Sequence, residues 1–192
     1  MGRSRRRCEK RVTVTSGSIF RNVNTDFIEV AMENITFCPQ TVTVSILNQQ
    51  NTCNGTEFPK YGYLCGDLVN ETSNGTVSTS DTSECELFYP PEGVIPVLTP
   101  FTFTIPPRQL FIVRAFPTDP IRPQDPYYEV QVTIPQDPIR PGDPLQPQDP
   151  HIPIVVNTWG ISSAGVIQSG NTVLHSQFRF LPQDPIRPQD PS

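Results

Sequence analysis

Apolar and polar residues alternate with period two along most of this chain. No long stretch shows the i, i+3, i+4, i+7 spacing of an amphipathic helix. In TVTVSIL, Val42, Val44 and Ile46 share one face, with Thr41, Thr43 and Ser45 on the other. In FTFTI, Phe101, Phe103 and Ile105 alternate with threonines; in YYEVQVTI, Tyr128, Val130, Val132 and Ile134 oppose Glu129, Gln131 and Thr133. Each reads as a strand with one buried face and one wet face. RQLFIVRAF at 108–116 is apolar on consecutive positions, the pattern of a central strand covered on both sides, and Pro106 and Pro107 force a turn before it. Further strands are expected at 12–15, 27–31, 152–158 and 172–180, the last joined to GVIQ by a hairpin turn at Ser169-Gly170-Asn171. The pattern predicts an all-β fold, an antiparallel β-sandwich or jelly-roll.

Two kinds of segment interrupt the alternation. Residues 48–96 form a long polar excursion that holds Cys53, Cys65 and Cys85, and a loop of that length is entropically loose unless cross-linked. The phrase x-Asp-Pro-Ile-Arg-Pro-x-Asp-Pro stands at 118–126, recurs in extended form at 136–150, and returns at 183–191. Proline at every third position fixes φ and biases the preceding residue to extended geometry, so each copy predicts a polyproline-II-like ribbon. Asp119 and Asp125 flank Arg122, and the same arrangement surrounds Arg140 and Arg187. Such a ribbon suits an aromatic-lined groove, a calcium ion held by its aspartates, or a stiff surface spacer. The spacer is favoured, because a rigid ribbon spreads carboxylates apart and the phrase interrupts a β-fold. Residues 151–181 supply too few strands for a core of their own and are expected to fold back onto the first sheets. The organisation read from the chain is a flexible basic arm at 1–11, one β-sandwich domain at 12–181 and a Pro-rich tail at 182–192.

Charge sharpens the picture at the N-terminus. Residues 1–11 hold six basic side chains against Glu9 alone, so the remainder carries a net −10 within the chain's total of −5. A cationic arm on an acidic body suits nucleic acid, an anionic lipid surface or a neighbouring copy, and equally a solvated tail. With no interleaved aromatics and no recognition fold, no nucleic-acid partner is expected. No apolar run is long enough to span a bilayer, no membrane partner is expected, and the basic start lacks the apolar stretch of a secretory signal.

Five cysteines remain to be placed. Cys38, Cys53, Cys65 and Cys85 contain no C-x-x-C pair and have only His151 and His175 as further soft ligands, which disfavours zinc. Two intrachain disulfides among these four are expected, with three pairings open. Cys8 is then odd and flanked by arginines, which favours its thiolate and suggests an intermolecular bond; a free thiol without a role is the plainer alternative. Asn34, Asn54, Asn70 and Asn74 each begin an N-x-Ser/Thr sequon, read here as chance in Asn/Thr-rich loops. No hydrolase, kinase, zincin, P-loop or dinucleotide fingerprint is present. His175 is expected on the solvent face of the last strand, His151 in a connector, and Trp159 in the core rather than as a sugar platform. The expectation is a non-enzymatic protein with no cofactor and no metal.

The phrases TVTVSILNQQ, FTFTIPPRQLFIVRAF and YYEVQVTIP, within 11–135, resemble the strand pattern of the bacterial endospore-appendage subunit family. That resemblance implies self-assembly into fibres on the spore surface, through strands that augment one another and a flexible N-terminal connector whose cysteines cross-link subunits. By position Cys8 corresponds to a connector cysteine, although this chain has one there rather than an adjacent pair. The partners implied are copies of itself and other spore-surface proteins. A chain made in a mother cell and released by lysis into oxidising surroundings would combine disulfides with the lack of a secretory signal. A surface adhesin or carbohydrate-binding module, working through loops near Trp159 or residues 48–96, is the alternative.

Overall fold

The computed structural model describes residues 11–49, 55–69, 93–117, 127–135 and 152–181. Cys8, Cys53, Cys85, His151, Asn54, Asn70, Asn74, the arm up to Lys10, all three proline repeats and the tail lie outside the described residues. The fold is all-β, and its strands form two antiparallel sheets. They are β1 (Arg11–Phe20), β2 (Thr25–Asn34), β3 (Gln40–Asn48), β4 (Thr56–Glu57), β5 (Lys60–Leu64), β6 (Asp67–Val69), β7 (Phe101–Ile105), β8 (Leu110–Ala115), β9 (Tyr127–Pro135), β10 (Ile154–Ser162), β11 (Ile167–Val173) and β12 (Arg179–Phe180). One sheet runs β12-β1-β9-β3-β4, with β7 also on β3; the other runs β11-β10-β2-β8-β5-β6.

The alternation read from the sequence sets the layers. Val42, Val44 and Ile46 of β3 meet Val130, Val132 and Ile134 of β9 on the inner face, opposite Ile28, Val30 and Met32 of β2. Phe103 stacks on Phe111 with centroids 4.6 Å apart, and Phe101 lies 5.7 Å from the same ring. Gly62 faces both rings, where a Cβ would come within 2.7 Å of Phe101 and 2.9 Å of Phe111, so the packing there requires a residue without a side chain. The outer face of the first sheet is threonine-rich: Thr13, Thr133, Thr43 and Thr102 stand in one row across four strands. Cross-strand hydroxyl contacts at 2.9 and 3.0 Å join Thr13 to Thr133 and Thr43 to Thr102.

Residues beyond the second repeat are part of the same body: β10 pairs along its length with β2, and β12 pairs with β1. β9 is the strand between the two internal repeats. It starts at the end of the sandwich where β8 stops and finishes at the end where β10 begins, so its terminal residues Tyr127 and Pro135 stand at opposite ends. We call these ends by their β1 residues, the Arg11 end and the Phe20 end.

Several expectations need correction. The 48–96 excursion is not loop throughout, since it contributes β4, β5 and β6, with β5 paired to β8. The expected 172–180 strand is broken into β11 and β12 by a single 3-10 turn at His175–Gln177. Ser169-Gly170-Asn171 is not the hairpin turn: β11 runs through it, and the turn forms at 162–166, where Gly165 N–H donates to Ser162 O at 2.8 Å. The reason is tertiary. Gly170 takes φ +90° inside the strand, and Asn171 turns inward onto Gly160, where a Cβ would meet the Asn171 side chain at 2.6 Å. Asn171 Nδ2 donates to Thr25 Oγ1 and Gln168 Oε1, both at 3.0 Å.

The consecutive apolar positions of β8 also have a specific cause. Phe111, Val113 and Ala115 enter the main core. Ile112 points the other way, against a second cluster of Phe27, Tyr61, Tyr63, Leu68, Phe116 and Ile161 on the outer face of the second sheet. Arg114 lies between the Phe27 and Tyr63 rings, at 5.5 and 5.1 Å, and its Nε donates to Glu29 at 2.8 Å. That sheet is therefore apolar on both faces.

Candidate functional site

The Arg11 end brings together Asn34, Phe37, Cys38, Cys65 and Arg108. β2 finishes there at Asn34, β3 begins at Gln40, β7 hands over to β8 through Pro106, Pro107 and Arg108, and β5 turns into β6. Asn34 holds these pieces together and is fully buried. Its Nδ2 donates to Cys38 O at 2.9 Å and to Ile105 O and Pro106 O at 3.0 Å. Its Oδ1 accepts from Thr36 N–H at 3.0 Å and Thr36 Oγ1 at 2.8 Å, an Asx turn that aims the following loop outward. The first sequon is thus an internal clamp, and its amide nitrogen is inaccessible for glycan attachment in the folded protein.

The clamp fixes two exposed features. Phe37 projects from the 35–39 loop at 81% exposure, with the Arg108 guanidinium 4.4 Å from its ring centroid. Arg108 is itself held at φ +59°, a left-handed conformation that few non-glycine residues adopt. Cys38 follows Phe37 and is exposed. Cys65 occupies the β5–β6 hairpin with Gly66, at φ +51° and +98°, the backbone signs of a tight I′ turn, and is exposed as well. Its amide donates to Leu110 O at 3.1 Å, on the segment whose Gln109 O accepts the Asn34 N–H at 3.0 Å. Cys38 and Cys65, for which intrachain disulfides were expected, are free thiols here, with Cys53 and Cys85 outside the described residues, and the two flank one short connector on the same end of the molecule. β1 begins at this end with Arg11, so residues 1–10 depart from it. Of the other three cysteines, Cys8 lies three positions before Arg11, within about 10 Å of extended chain.

Sequence reading singled out Cys38 and Cys65 without placing them together, and it missed the clamp and the Phe37–Arg108 stack. The N-I-T signature at Asn34 carried the signal for an Asx turn, but the partners of that amide lie about seventy residues away in sequence. Among the described residues no group of three or more His, Cys, Asp or Glu side chains is arranged to hold a metal ion. Among them, too, no helix is long and apolar enough to cross a membrane.

His175 is not on a strand face. It opens the 3-10 turn, its Nδ1 accepts the Val156 N–H at 3.1 Å, and its own N–H donates to Asn157 Oδ1 at 3.0 Å. It tethers the crossover from β11 to β12 onto β10. Burial lowers the imidazole pKa below its ordinary value of 6.5. The fold therefore favours the neutral ring. Its stabilisation is complete above the ordinary value and is lost as pH falls through the lowered one. Thermal melts of the wild type between pH 7 and pH 4.5 should show a fall in Tm that His175→Gln shrinks, since the amide oxygen accepts the same bond at either pH. Parallel pH profiles for the two proteins would remove His175 from this role. Trp159 is half-buried and packs against the outer aromatic cluster, as a side wall rather than an open platform.

No protein-family model, no curated protein and no solved structure matches this chain.

Proposed function

We propose that this chain is a non-enzymatic structural subunit that self-assembles into a surface fibre or appendage, with the N-terminal arm and Cys8 linking neighbouring copies. The observation that carries the reading is that the exposed thiols Cys38 and Cys65 lie at the same end of the sandwich as Arg11, the first described residue after the arm. An arginine-flanked thiolate on a short tether is suited to forming a disulfide with such a thiol on another copy, with an external oxidant taking up the two electrons. The resemblance of the strand phrases to endospore-appendage subunits supports the same reading, with the spore surface as the place of assembly and other spore-surface proteins as further partners. Disulfides formed after release into oxidising surroundings would lock contacts already made. The adhesin reading has less support, because Trp159 is packed into a cluster and the polar excursion supplies sheet strands.

The test is electron microscopy and non-reducing electrophoresis of the full chain, of a form lacking residues 1–10, and of Cys8→Ser. Covalent ladders that collapse on reduction, and that disappear in both variants, are expected. A full chain that stays monomeric in oxidising buffer would remove the proposal.

A further inference from the structure

The two ends of the sandwich are both apolar at their tips, and they are chemically different. At the Phe20 end, Phe20 and Tyr127 form an edge-to-face pair with centroids 5.9 Å apart, and both remain substantially exposed. Val23 caps the loop from β1 to β2 at 76% exposure. Val166 and Ile167, also exposed, rise beside it in the β10–β11 hairpin, which the bond from Thr25 Oγ1 to Gln168 Oε1 holds to the start of β2 at 2.5 Å. The other exposed described residues of these two turns are Asn24, Ser163, Ala164 and Gly165, none of them charged. At the Arg11 end the counterpart is a single projecting ring, Phe37, backed by the Arg108 guanidinium, with Ile35 and Leu110 partly exposed on the same end.

We infer that the Phe20 end of one copy receives the Arg11 end of the next, with Phe37 and Arg108 docking on the Phe20–Tyr127 pair and Val23. This rests on the self-assembly reading and supplies its non-covalent contact. A guanidinium already stacked on one ring presents its second face to another aromatic, and the Phe20–Tyr127 pair is such a partner. Apolar patches of this kind on a soluble sandwich mark interaction surfaces. Opposite ends that complement each other form a heterologous contact, which repeats from copy to copy instead of closing on itself. An end meeting its own kind would give a closed two-fold dimer. The stacking also brings each copy's arm, which departs at the Arg11 end, beside the contact it would lock.

The experiment uses the full chain with reductant present, so that disulfides do not contribute, and follows association by sedimentation velocity. Phe37→Glu and Val23→Glu each alter a residue more than three-quarters exposed, and circular dichroism checks that both variants fold. Each is expected to weaken association by about tenfold or more. Mixing the two should restore one contact per pair, between the intact Arg11 end of Val23→Glu and the intact Phe20 end of Phe37→Glu, and so yield dimers that grow no further. Wild-type assemblies that persist in both variants overturn the contact while leaving self-assembly standing. Loss in one variant only, with no rescue on mixing, points to a like-with-like dimer and also overturns it. Wild type that assembles only without reductant makes the disulfide sufficient and removes this contact. Wild type that is monomeric in both buffers removes the self-assembly reading itself.

Discussion

Glu57→Ala is expected to lower the unfolding free energy by about 3–5 kcal/mol, the cost typical of breaking a buried ion pair by deleting one partner. The Lys60 side chain is fully buried, and its Nζ lies 2.6 Å from Glu57 Oε2. Lys60 Nζ also donates to Phe58 O at 3.2 Å. The carboxylate has a second task. β7 pairs with β3 only as far as Val44 and β4 takes over at Leu47, so the Ile46 N–H falls between two partner strands. Glu57 Oε2 accepts that N–H at 3.1 Å and fills the gap in the ladder. Removal of the side chain therefore costs the ammonium a counter-charge and leaves a buried amide without this acceptor. Adding Lys60→Met to Glu57→Ala should recover a large part of the loss, because the desolvated charge goes with the lysine. Urea unfolding of the two single variants and the double variant measures the coupling. Additive losses would show that the pair does not act as a unit.

Asn34→Ala is expected to cost about 3 kcal/mol, since three carbonyls and one backbone amide lose a partner in a site closed to water. For a chain of this size that is a fall of roughly 10 °C in Tm. The effect should be local before it is global. Hydrogen exchange should rise in 35–40 and 105–110, the two connectors that the amide joins, ahead of the β2–β10 ladder. Asn34→Asp is the informative companion: it keeps the two acceptor bonds from Thr36 but faces a carboxylate with the carbonyls of Cys38, Ile105 and Pro106. A loss as large as that of the alanine variant is expected at neutral pH. Two variants of near wild-type stability would show that the connectors hold without the clamp.

These two sites account for much of what the sequence reading passed over. Lys60 and Glu57 sat inside a segment classed as polar excursion, because T-E-F-P-K lacks the sustained alternation that marks a strand. Their strands are short, and their stability comes from β3 and β8, which are distant in the chain. Asn34 was legible only as a sequon, since a side-chain amide does not announce which carbonyls will surround it. Cys38 and Cys65 were identified as residues of interest from their number and spacing. Their common position depends on two separate connectors meeting at one end of the sandwich.

The period-two alternation was enough to establish an all-β chain and to say which face of β3, β7 and β9 would be buried, because side-chain direction along an extended backbone is a local property. The apolar run 108–116 likewise identified a strand covered on both sides. Pairing partners were settled only in three dimensions. β10 on β2, β5 on β8, the inward turn of Asn171 and the placing of Cys38 and Cys65 on one end of the sandwich all depend on residues far apart in sequence. Such contacts form where sheets and connectors compete to bury apolar area and satisfy backbone polar groups together, and that competition is resolved by the whole fold rather than by any one segment.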